Sequence, residues 1–301
     1  MTTTQPSPPA GRLLGTFDPG SPDWHAARAN GIGGSEISAV LGLSPHESRF
    51  SLWHRKQGNI GPVQETPEMY WGKKHEPTIC AEFAERHPEL LVLPSGTYAA
   101  NDVPWWIANP DRLGFTADGE LEVIEAKTAY DDFEWGEEGT DQIPVHYKAQ
   151  VRWYCRALGA RRARVAVLFG LSDYREYVVE PDDEDAHLMY VAGQEFMDSL
   201  AAGQIPDIDG HAATFHAVKA LPDGMEDVDV PIDPALRDRY FAALDACKAA
   251  EEEKRFASGL VLDLIDTGRR AVVGNDRVAT RTVRNGKTYS LQPARNRSTA
   301  A

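Results

Sequence analysis

Hydrophobic and polar positions follow two different periods along this chain. Apolar residues recur every three to four positions over about 66–86, 144–159 and 182–202, which predicts amphipathic helices. Between about 90 and 127, and again over 163–179, short apolar runs separated by turn residues predict strands. Strands with helices on either side of them in the sequence indicate an α/β (α+β) fold, with a mixed central sheet flanked by helices.

The chain divides into four segments by composition. Residues 1–20 are rich in Thr, Pro and Gly and are expected to be a disordered tail, while residues 21–203 hold the main domain. Residues 204–232 are rich in Asp, Pro and Gly and are expected to be a linker. Residues 233–301 predict a long polar helix and a small antiparallel sheet, because the Asn-Gly pair at 285–286 separates two alternating runs and is a strong hairpin signal.

Composition narrows the class of protein. Of the 301 residues, 42% are hydrophobic and 26% are charged, which is ordinary for a globular chain. No apolar run reaches the ~18 residues of a membrane span and no hydrophobic signal core follows the N-terminus, so we expect a cytoplasmic protein without a membrane partner. Three widely spaced cysteines, Cys80, Cys155 and Cys247, give no zinc or iron–sulfur spacing and are expected to be buried thiols.

The net charge of −15 argues at first against a nucleic-acid partner, but its distribution removes that objection. Residues 181–260 hold 18 acidic and 6 basic side chains, so they carry a net −12. Residues 141–170 contain six basic side chains against Asp141 alone, and residues 267–301 contain eight against Asp276 alone. Phosphates respond to the field within about 8–10 Å, so DNA remains a permitted partner.

The stretch PWWIANPDRLGFTADGELEVIEAKT at 104–128 contains the candidate chemistry. Strand alternation puts Glu125 and Lys127 on one face, with Ile124 turned toward the core on the other. With Asp111 at the end of the neighbouring strand, two carboxylates could hold Mg²⁺ and the lysine could approach a metal-bound water. The alternative is that Lys127 only partners Glu125 on an exposed edge strand, and spacing alone leaves both open.

A third acid is available on the helix predicted over 66–86. Glu76 precedes Pro77, which should bend or loosen that helix, so its carboxylate need not be tied into a helical ion pair. The alternative is an exposed glutamate among charged neighbours. After the strands, Lys148, Arg152 and Arg156 recur at intervals of four and predict a basic ridge on one helix.

Six blocks in order then resemble one family over about residues 21–202. They are WHAARANGIGGSEISAVLGLSP, SLWHRKQG, WGKKHEPTICAEFAE, PWWIANPDRL, LEVIEAKTA and IPVHYKAQVRWYCRALGA. This order resembles the YqaJ-type viral recombinase family, which shares a nuclease class with phage lambda exonuclease. The resemblance implies a PD-(D/E)xK, restriction-endonuclease-like core.

The resemblance also implies a role for particular residues. Asp111, Glu125 and the backbone carbonyl of Ala126 match metal ligands, and Glu76 matches the helix-borne glutamate that completes the site. Lys127 matches the catalytic lysine.

Further positions match residues that contact DNA. Gln150 matches a glutamine on the helix after the catalytic strand, and Arg28 and Ser35 match the groups that hold a terminal 5′-phosphate. Asn109 stands where a small hydroxyl residue often contacts phosphate. Lys148 and Arg152 are the remaining DNA-binding candidates.

The implied activity is a Mg²⁺-dependent 5′–3′ exonuclease acting on double-stranded DNA ends, with two ions in each site and Mn²⁺ as a substitute. It would release 5′-mononucleotides and leave 3′ overhangs for a single-strand annealing recombinase, and the family implies a homo-oligomeric ring trimer. Two alternatives stay open. One is a PD-(D/E)xK endonuclease of repair or restriction type, and the other is an inactive DNA-binding accessory protein.

Overall fold

The structure is a computed structural model that describes residues 8–18 and 20–294. It divides into two compact units, with the division between Met225 and Glu226. None of the helices in the described ranges combines the length and apolar character needed to cross a membrane.

Two sheets belong to the first unit. The described strands of this unit are β1 (Arg12–Gly15), β2 (Ile32–Gly33), β3 (Leu91–Pro94), β4 (Thr97–Ala99), β5 (Trp106–Ala108), β6 (Arg112–Phe115), β7 (Leu121–Ala129), β8 (Arg162–Phe169) and β9 (Asp173–Val179). The central sheet has the order β3-β6-β7-β8-β9 and is mixed, because β7 and β8 are parallel and the other neighbours are antiparallel. A smaller sheet has the order β1-β4-β5-β2.

Helices flank these sheets, as the sequence predicts. Those described in the first unit are α1 (Pro22–Arg28), α2 (Gly34–Val40), α3 (Arg49–Lys56), α4 (Pro67–Arg86), α5 (Val145–Leu158), α6 (Asp183–Ala202) and α7 (Ala212–Ala220). Ser21 caps α1 by accepting from the Trp24 N–H, and Pro22 occupies the first helical position. The helix α4 continues through Pro77, the residue at which the sequence predicts a bent or loosened helix.

Both faces of the central strand β7 are buried. Ile124 and Ala126 pack in a cluster that includes Phe83 of α4, whereas Leu121 and Val123 lie in the main core that includes residues of α5. The pattern assigned only the Ile124 face to the core. The alternation pattern does not identify the second face as buried, because helices cover both faces of β7 and neither face is exposed to solvent.

Two local predictions differ from the structure. The apolar run over about 90–100 predicts one strand, but it forms two strands, β3 and β4, that belong to different sheets. Cys80 and Cys155 are buried as expected, but Cys247 is exposed.

Part of the predicted linker is helical. Residues 212–220 form α7, which contacts α3, and Thr214 on α7 is fully buried with its hydroxyl 2.6 Å from Ser48 Oγ. Strand β1 likewise lies inside the predicted tail, where it pairs with β4. The Pro- and Gly-rich residues around these segments indicated a tail and a linker, but tertiary contacts hold both segments in place.

The second unit is the predicted long helix followed by a small antiparallel sheet. It contains α8 (Pro234–Ile265), β10 (Arg270–Val273), β11 (Asp276–Arg284) and β12 (Lys287–Pro293), with the strand order β10-β11-β12. Asn285 and Gly286 both have positive φ, at 52° and 73°, so the Asn-Gly hairpin turn is confirmed.

Candidate active site

The hairpin of β6 and β7 brings two acids side by side. Arg112 pairs with Ile124 across the hairpin, so Asp111 lies next to Glu125. The Ala126 N–H donates to Asp111 Oδ2 at 2.7 Å, which fixes that carboxylate at the sheet edge. Asp111 and Glu125 are fourteen positions apart in the sequence and become neighbours because β6 and β7 form an antiparallel pair.

Lys127 and Gln150 both donate to Glu125. Lys127 Nζ and Gln150 Nε2 each lie 2.6 Å from Glu125 Oε1, and Gln150 Nε2 also lies 3.1 Å from the Tyr154 hydroxyl. Glu125 is 3% exposed, so this carboxylate depends on those two donors. Strand parity puts Glu125 and Lys127 on one face, and α5 contributes Gln150 to the same face.

Glu76 reaches this corner from α4. Its Oε1 lies 3.3 Å from Arg112 Nη1, and the same guanidinium nitrogen donates to the Asp111 carbonyl at 2.5 Å. Glu76 is half-buried and forms an ion pair with Arg112, so its carboxylate lies against a cation of the site's corner.

Burial and crowding of negative charge perturb these acids. Burial, then repulsion from Glu125, raises the pKa of Asp111 well above its usual value. Burial also raises the pKa of Glu125, and the nearby Lys127 offsets only part of that rise. Burial opposes the charged form of Lys127, but Glu125 and Asp111 outweigh it and raise the pKa of the lysine. The centre thus holds more carboxylate charge than its cations compensate.

The fit of this centre to a metal ion has two sides. Glu125 Oε2 is a buried oxygen with no hydrogen-bond partner, and such a hard, unsatisfied acceptor suits a divalent cation. Among the described residues, however, no three acidic, histidine or cysteine side chains are grouped so that they could hold a metal ion. The predicted ligands share one corner, where Lys127 and Gln150 occupy Glu125 Oε1 and Arg112 occupies Glu76 Oε1, while Glu125 Oε2 stays unpaired.

A second cluster surrounds Arg28, at the end of α1. Its guanidinium lies 4.1 Å from the centre of the Trp24 ring and donates to Ser35 Oγ at 3.3 Å. Arg28 is buried except for 8% of its surface, while Ser35 is exposed. The two residues that the resemblance assigns to a terminal 5′-phosphate therefore lie in contact, and that role stays a prediction.

Glu36 and Lys56 hold this cluster in place. Glu36 accepts from the Gly33 N–H at 2.6 Å and from Lys56 Nζ at 2.9 Å, and Lys56 also donates to the Gly31 carbonyl at 2.6 Å. Burial would raise the pKa of Glu36, but Lys56 and Arg28 outweigh it and lower the pKa. Sequence reasoning missed both residues, because their partners lie about twenty positions away.

Residues 23–160 match the model of the YqaJ-like viral recombinase domain. Over these residues the chain resembles a YqaJ-like viral recombinase domain, and we call them the YqaJ-like domain. It is also 33% identical, over 204 residues, to the uncharacterized protein YqaJ of Bacillus subtilis (strain 168), an alignment that covers 65% of this chain. The chain spans 62% of the length of that relative.

Solved structures resemble about three-fifths of this chain in fold. The alkaline exonuclease LHK-Exo from Laribacter hongkongensis superimposes with a TM-score of 0.51 at 18% identity, covering 61% of this chain and 94% of that one. LHK-Exo in complex with dAMP gives a TM-score of 0.52 at 17% identity over the same shares of the two chains. These matches show a nuclease fold.

Tyr154 connects the two clusters of the YqaJ-like domain. Its hydroxyl accepts from Gln150, the amide that donates to Glu125, while its ring fills the space beside Gly34, the residue before Ser35. The tyrosine lies four positions after Gln150 on one helical stripe, and this spacing was the signal that could have identified it.

The remaining predicted DNA contacts are occupied by protein groups. Asn109 Nδ2 donates to the buried Thr97 hydroxyl, and its Oδ1 is buried without a hydrogen-bond partner. Lys148 Nζ donates to Asp141 at 2.9 Å, and Arg152 forms an ion pair with Asp185.

The predicted basic ridge on α5 is therefore not free. Its third member, Arg156, donates to Asp102 at 2.5 Å, so each of the three basic side chains has a carboxylate partner. The helical spacing was right, but acids from other parts of the chain neutralise the ridge. Sequence periodicity cannot show those partners because they come from residues distant in sequence.

Proposed function

We propose that the YqaJ-like domain is a deoxyribonuclease, a Mg²⁺-dependent exonuclease that degrades one strand of linear duplex DNA from its 5′ end. The observation that carries the proposal is the pair Asp111 and Glu125, held beside Lys127 with one Glu125 oxygen unsatisfied. The nuclease fold of the structural relatives supports the same activity.

The metal ligands in this proposal are Asp111, Glu125 and the carbonyl of Ala126, with Glu76 from the facing helix. All four are hard oxygen donors, which Mg²⁺ prefers, with Mn²⁺ as a substitute and two ions per site as the resemblance implies. A bound divalent cation would neutralise the scissile phosphate and acidify an attacking water. Glu76 would exchange its pairing with Arg112 for this role.

Lys127 is assigned to hold the attacking water and to stabilise the charge that develops on the phosphate. Its ammonium has a fixed position, 2.6 Å from Glu125 Oε1 and 4.9 Å from the Tyr147 ring centre. A donor that is already in place loses little orientational freedom during the reaction. Gln150 holds the Glu125 carboxylate in orientation from the other side.

Arg28 and Ser35 are assigned to the 5′-phosphate of the DNA end. An arginine with an exposed hydroxyl beside it matches the charge and the hydrogen-bond acceptors of a terminal phosphate. Tyr154 and Gln150 connect this cluster to Glu125, so a bound end would be held close to the reacting phosphate. Such an arrangement favours removal of terminal nucleotides over cleavage within a strand.

The wider setting follows from the resemblance. The product would be a 3′ single-stranded overhang, passed to a single-strand annealing recombinase in the cytoplasm. The enzyme would work as a ring-shaped homotrimer, which light scattering of the purified full-length chain would test.

The test of the nuclease uses linear duplexes with and without a 5′-phosphate, together with a closed circular duplex. We expect Mg²⁺-dependent loss of the phosphorylated linear DNA, sparing of the circle, and no activity in Lys127→Ala. Cutting of the circle would instead support the endonuclease alternative. If no DNA is cut although the protein binds it, the inactive accessory protein is correct.

A further inference from the structure

The small sheet of the second unit has one polar, basic face. Arg270 pairs with Thr280 and Thr280 with Gln292, so these three form one row across the sheet. Two further rows on the same face are Thr282–Ser290 and Arg284–Lys287. We call this set the polar face, and its members are Arg270, Thr280, Thr282, Arg284, Lys287, Ser290 and Gln292.

Side-chain contacts agree with that assignment. The hydroxyls of Thr282 and Ser290 lie 2.7 Å apart, so both point to the same side. On the opposite face Ala279 is buried, and Arg281 donates to the Asp266 and Thr267 carbonyls at the end of α8. One side of the sheet therefore faces its own helix, while the polar face remains open.

The positive charges of the polar face are not neutralised. Arg270, Arg284 and Lys287 are exposed, and within the described part of the chain none of them forms an ion pair. The three rows contain no acidic residue. This differs from the basic ridge of α5, where each cation is paired.

This local excess contrasts with the chain as a whole. Residues 266–294 contain six basic and two acidic side chains, in a protein of net charge −15. Unpaired cations in an acidic protein produce a local positive field, and an anionic polymer is the partner that such a field attracts.

We infer that the polar face, which belongs to the second unit, binds the sugar–phosphate backbone of duplex DNA. Arginine, lysine and hydroxyl groups are the usual donors to phosphate and carry no base specificity. The inference rests on the proposed function only in assuming that DNA is the polymer present.

The dimensions of the face favour a duplex over a single strand. The Arg270 row and the Arg284–Lys287 row are four residues apart on β11, which is about 13 Å along a strand. The major groove of DNA is about 12 Å wide, so the two rows can contact phosphates on its two sides. Single-strand platforms use a series of aromatic side chains, whereas this face adjoins only Tyr289, which lies beneath the Arg284 guanidinium.

The experiment measures binding of a fluorescent blunt duplex, and of a fluorescent single strand of the same length, to the 301-residue chain. Anisotropy is read in EDTA at several salt concentrations. The variant replaces Arg270, Arg284 and Lys287 with glutamine. The matched control replaces three cations on α8 with glutamine, namely Arg239, Lys248 and Lys254. These side chains are also exposed, and their replacement removes the same amount of positive charge. Circular dichroism of each variant checks that the fold is retained.

If each of the three side chains contacts one phosphate, the slope of log affinity against log salt falls by about 2.7 in the sheet variant. We expect the affinity of the sheet variant at low salt to fall on the order of tenfold or more. In the control variant, the changes in slope and in log affinity should each be at most about a third of those in the sheet variant. Equal losses in both variants would show a general charge effect and overturn the inference. A loss confined to single-stranded DNA would overturn the duplex assignment.

Failure of this inference is distinguishable from failure of the nuclease. A wild-type chain that degrades linear DNA, with unchanged binding in the sheet variant, leaves the nuclease standing and removes the polar face. If the wild-type chain has no nuclease activity but the sheet variant loses duplex binding, the polar face is supported and the proposed nuclease function fails.

Discussion

Nε2 of Gln150 lies 2.6 Å from Oε1 of Glu125, in a contact that neither residue exposes to solvent. The amide comes from α5 and the carboxylate from β7, so this bond joins a helix to the central strand. It fixes one oxygen of Glu125 and leaves Oε2 as the unsatisfied one. The orientation of the proposed metal ligand therefore depends on a residue that need not touch the metal.

Replacement of Gln150 by alanine should reduce nuclease activity by about 10–100-fold, because an unsupported carboxylate loses its orientation toward the metal. The measurement is the initial rate of linear-duplex degradation across Mg²⁺ concentrations. Tyr154→Phe is the matched control, since it removes only the hydroxyl that accepts at 3.1 Å and keeps the ring. If the phenylalanine variant loses as much activity as Gln150→Ala, Tyr154 rather than Gln150 orients the site.

Replacement of Lys127 by alanine should lower the free energy of unfolding of the metal-free protein by about 3–5 kcal/mol, because it leaves a buried Glu125 carboxylate without its cation. Urea denaturation in EDTA measures this change. Adding Glu125→Gln to Lys127→Ala should recover part of the loss, since a neutral amide needs no counter-charge. The idea fails if the single variant is as stable as the wild type.

Replacement of Gly33 by alanine should weaken the preference for 5′-phosphorylated ends. A Cβ on Gly33 would overlap the Arg28 guanidinium, which can move because it is the free end of a flexible side chain. The φ of Gly33 is −83°, so alanine adds no backbone strain. The measurement is the ratio of degradation rates on phosphorylated and unphosphorylated linear duplexes.

Two further variants serve as controls for Gly33→Ala. Arg28→Gln removes the guanidinium itself and should abolish the preference for a 5′-phosphate. Gly31→Ala places a Cβ against the Trp105 backbone carbonyl, which cannot move easily, so it should destabilise the fold instead. An unchanged preference in both Gly33→Ala and Arg28→Gln would remove Arg28 from the proposed end-binding site.

Acid should destabilise the protein through His54. Burial lowers the pKa of His54, whose Nδ1 contacts Asn59 at 3.1 Å and whose Nε2 has no partner. Because the folded pKa lies below the unfolded value of about 6.5, the unfolded state binds more protons as pH falls below about 6.5. The free energy of unfolding should therefore decrease on acidification by up to about 1.4 kcal/mol per pH unit from this group.

His54→Phe isolates that contribution, because its ring can still pack against Phe50. Denaturation at several pH values between neutral and mildly acidic should show a shallower pH dependence for the variant than for the wild type. Parallel curves would mean that His54 is protonated without penalty in the folded state.

Truncation should locate the end of the first unit. A chain that ends after residue 225 should fold, whereas one that ends after residue 203 should be less stable by about 2 kcal/mol or more, because it loses α7. Residues Thr214 and Ala217 of α7 are buried, and their removal exposes apolar surface on the first unit. Thermal denaturation of the two fragments tests this boundary, and equal stability would restore the linker prediction for 204–232.

Much of the architecture could be predicted from local patterns. Helix α5 and strand β7 follow from apolar periodicity, and the hairpin at Asn285 follows from turn chemistry, because each depends on neighbours in sequence. The pairing of Asp111 with Glu125 could be anticipated because both flank one hairpin. The pattern missed α7 and β1, since contacts with distant residues stabilise these two short segments.

The sequence by itself predicted helix α5, strand β7 and the C-terminal hairpin, together with the resemblance to the family. It also placed Glu125 and Lys127 on one face of a strand, because side chains alternate along a strand. Only the tertiary structure decided which charges are available. It pairs Arg152 with Asp185 and Glu76 with Arg112, and it leaves Arg270, Arg284 and Lys287 exposed on an open sheet. Electrostatic partners are chosen by distance in space, and local sequence does not encode that distance.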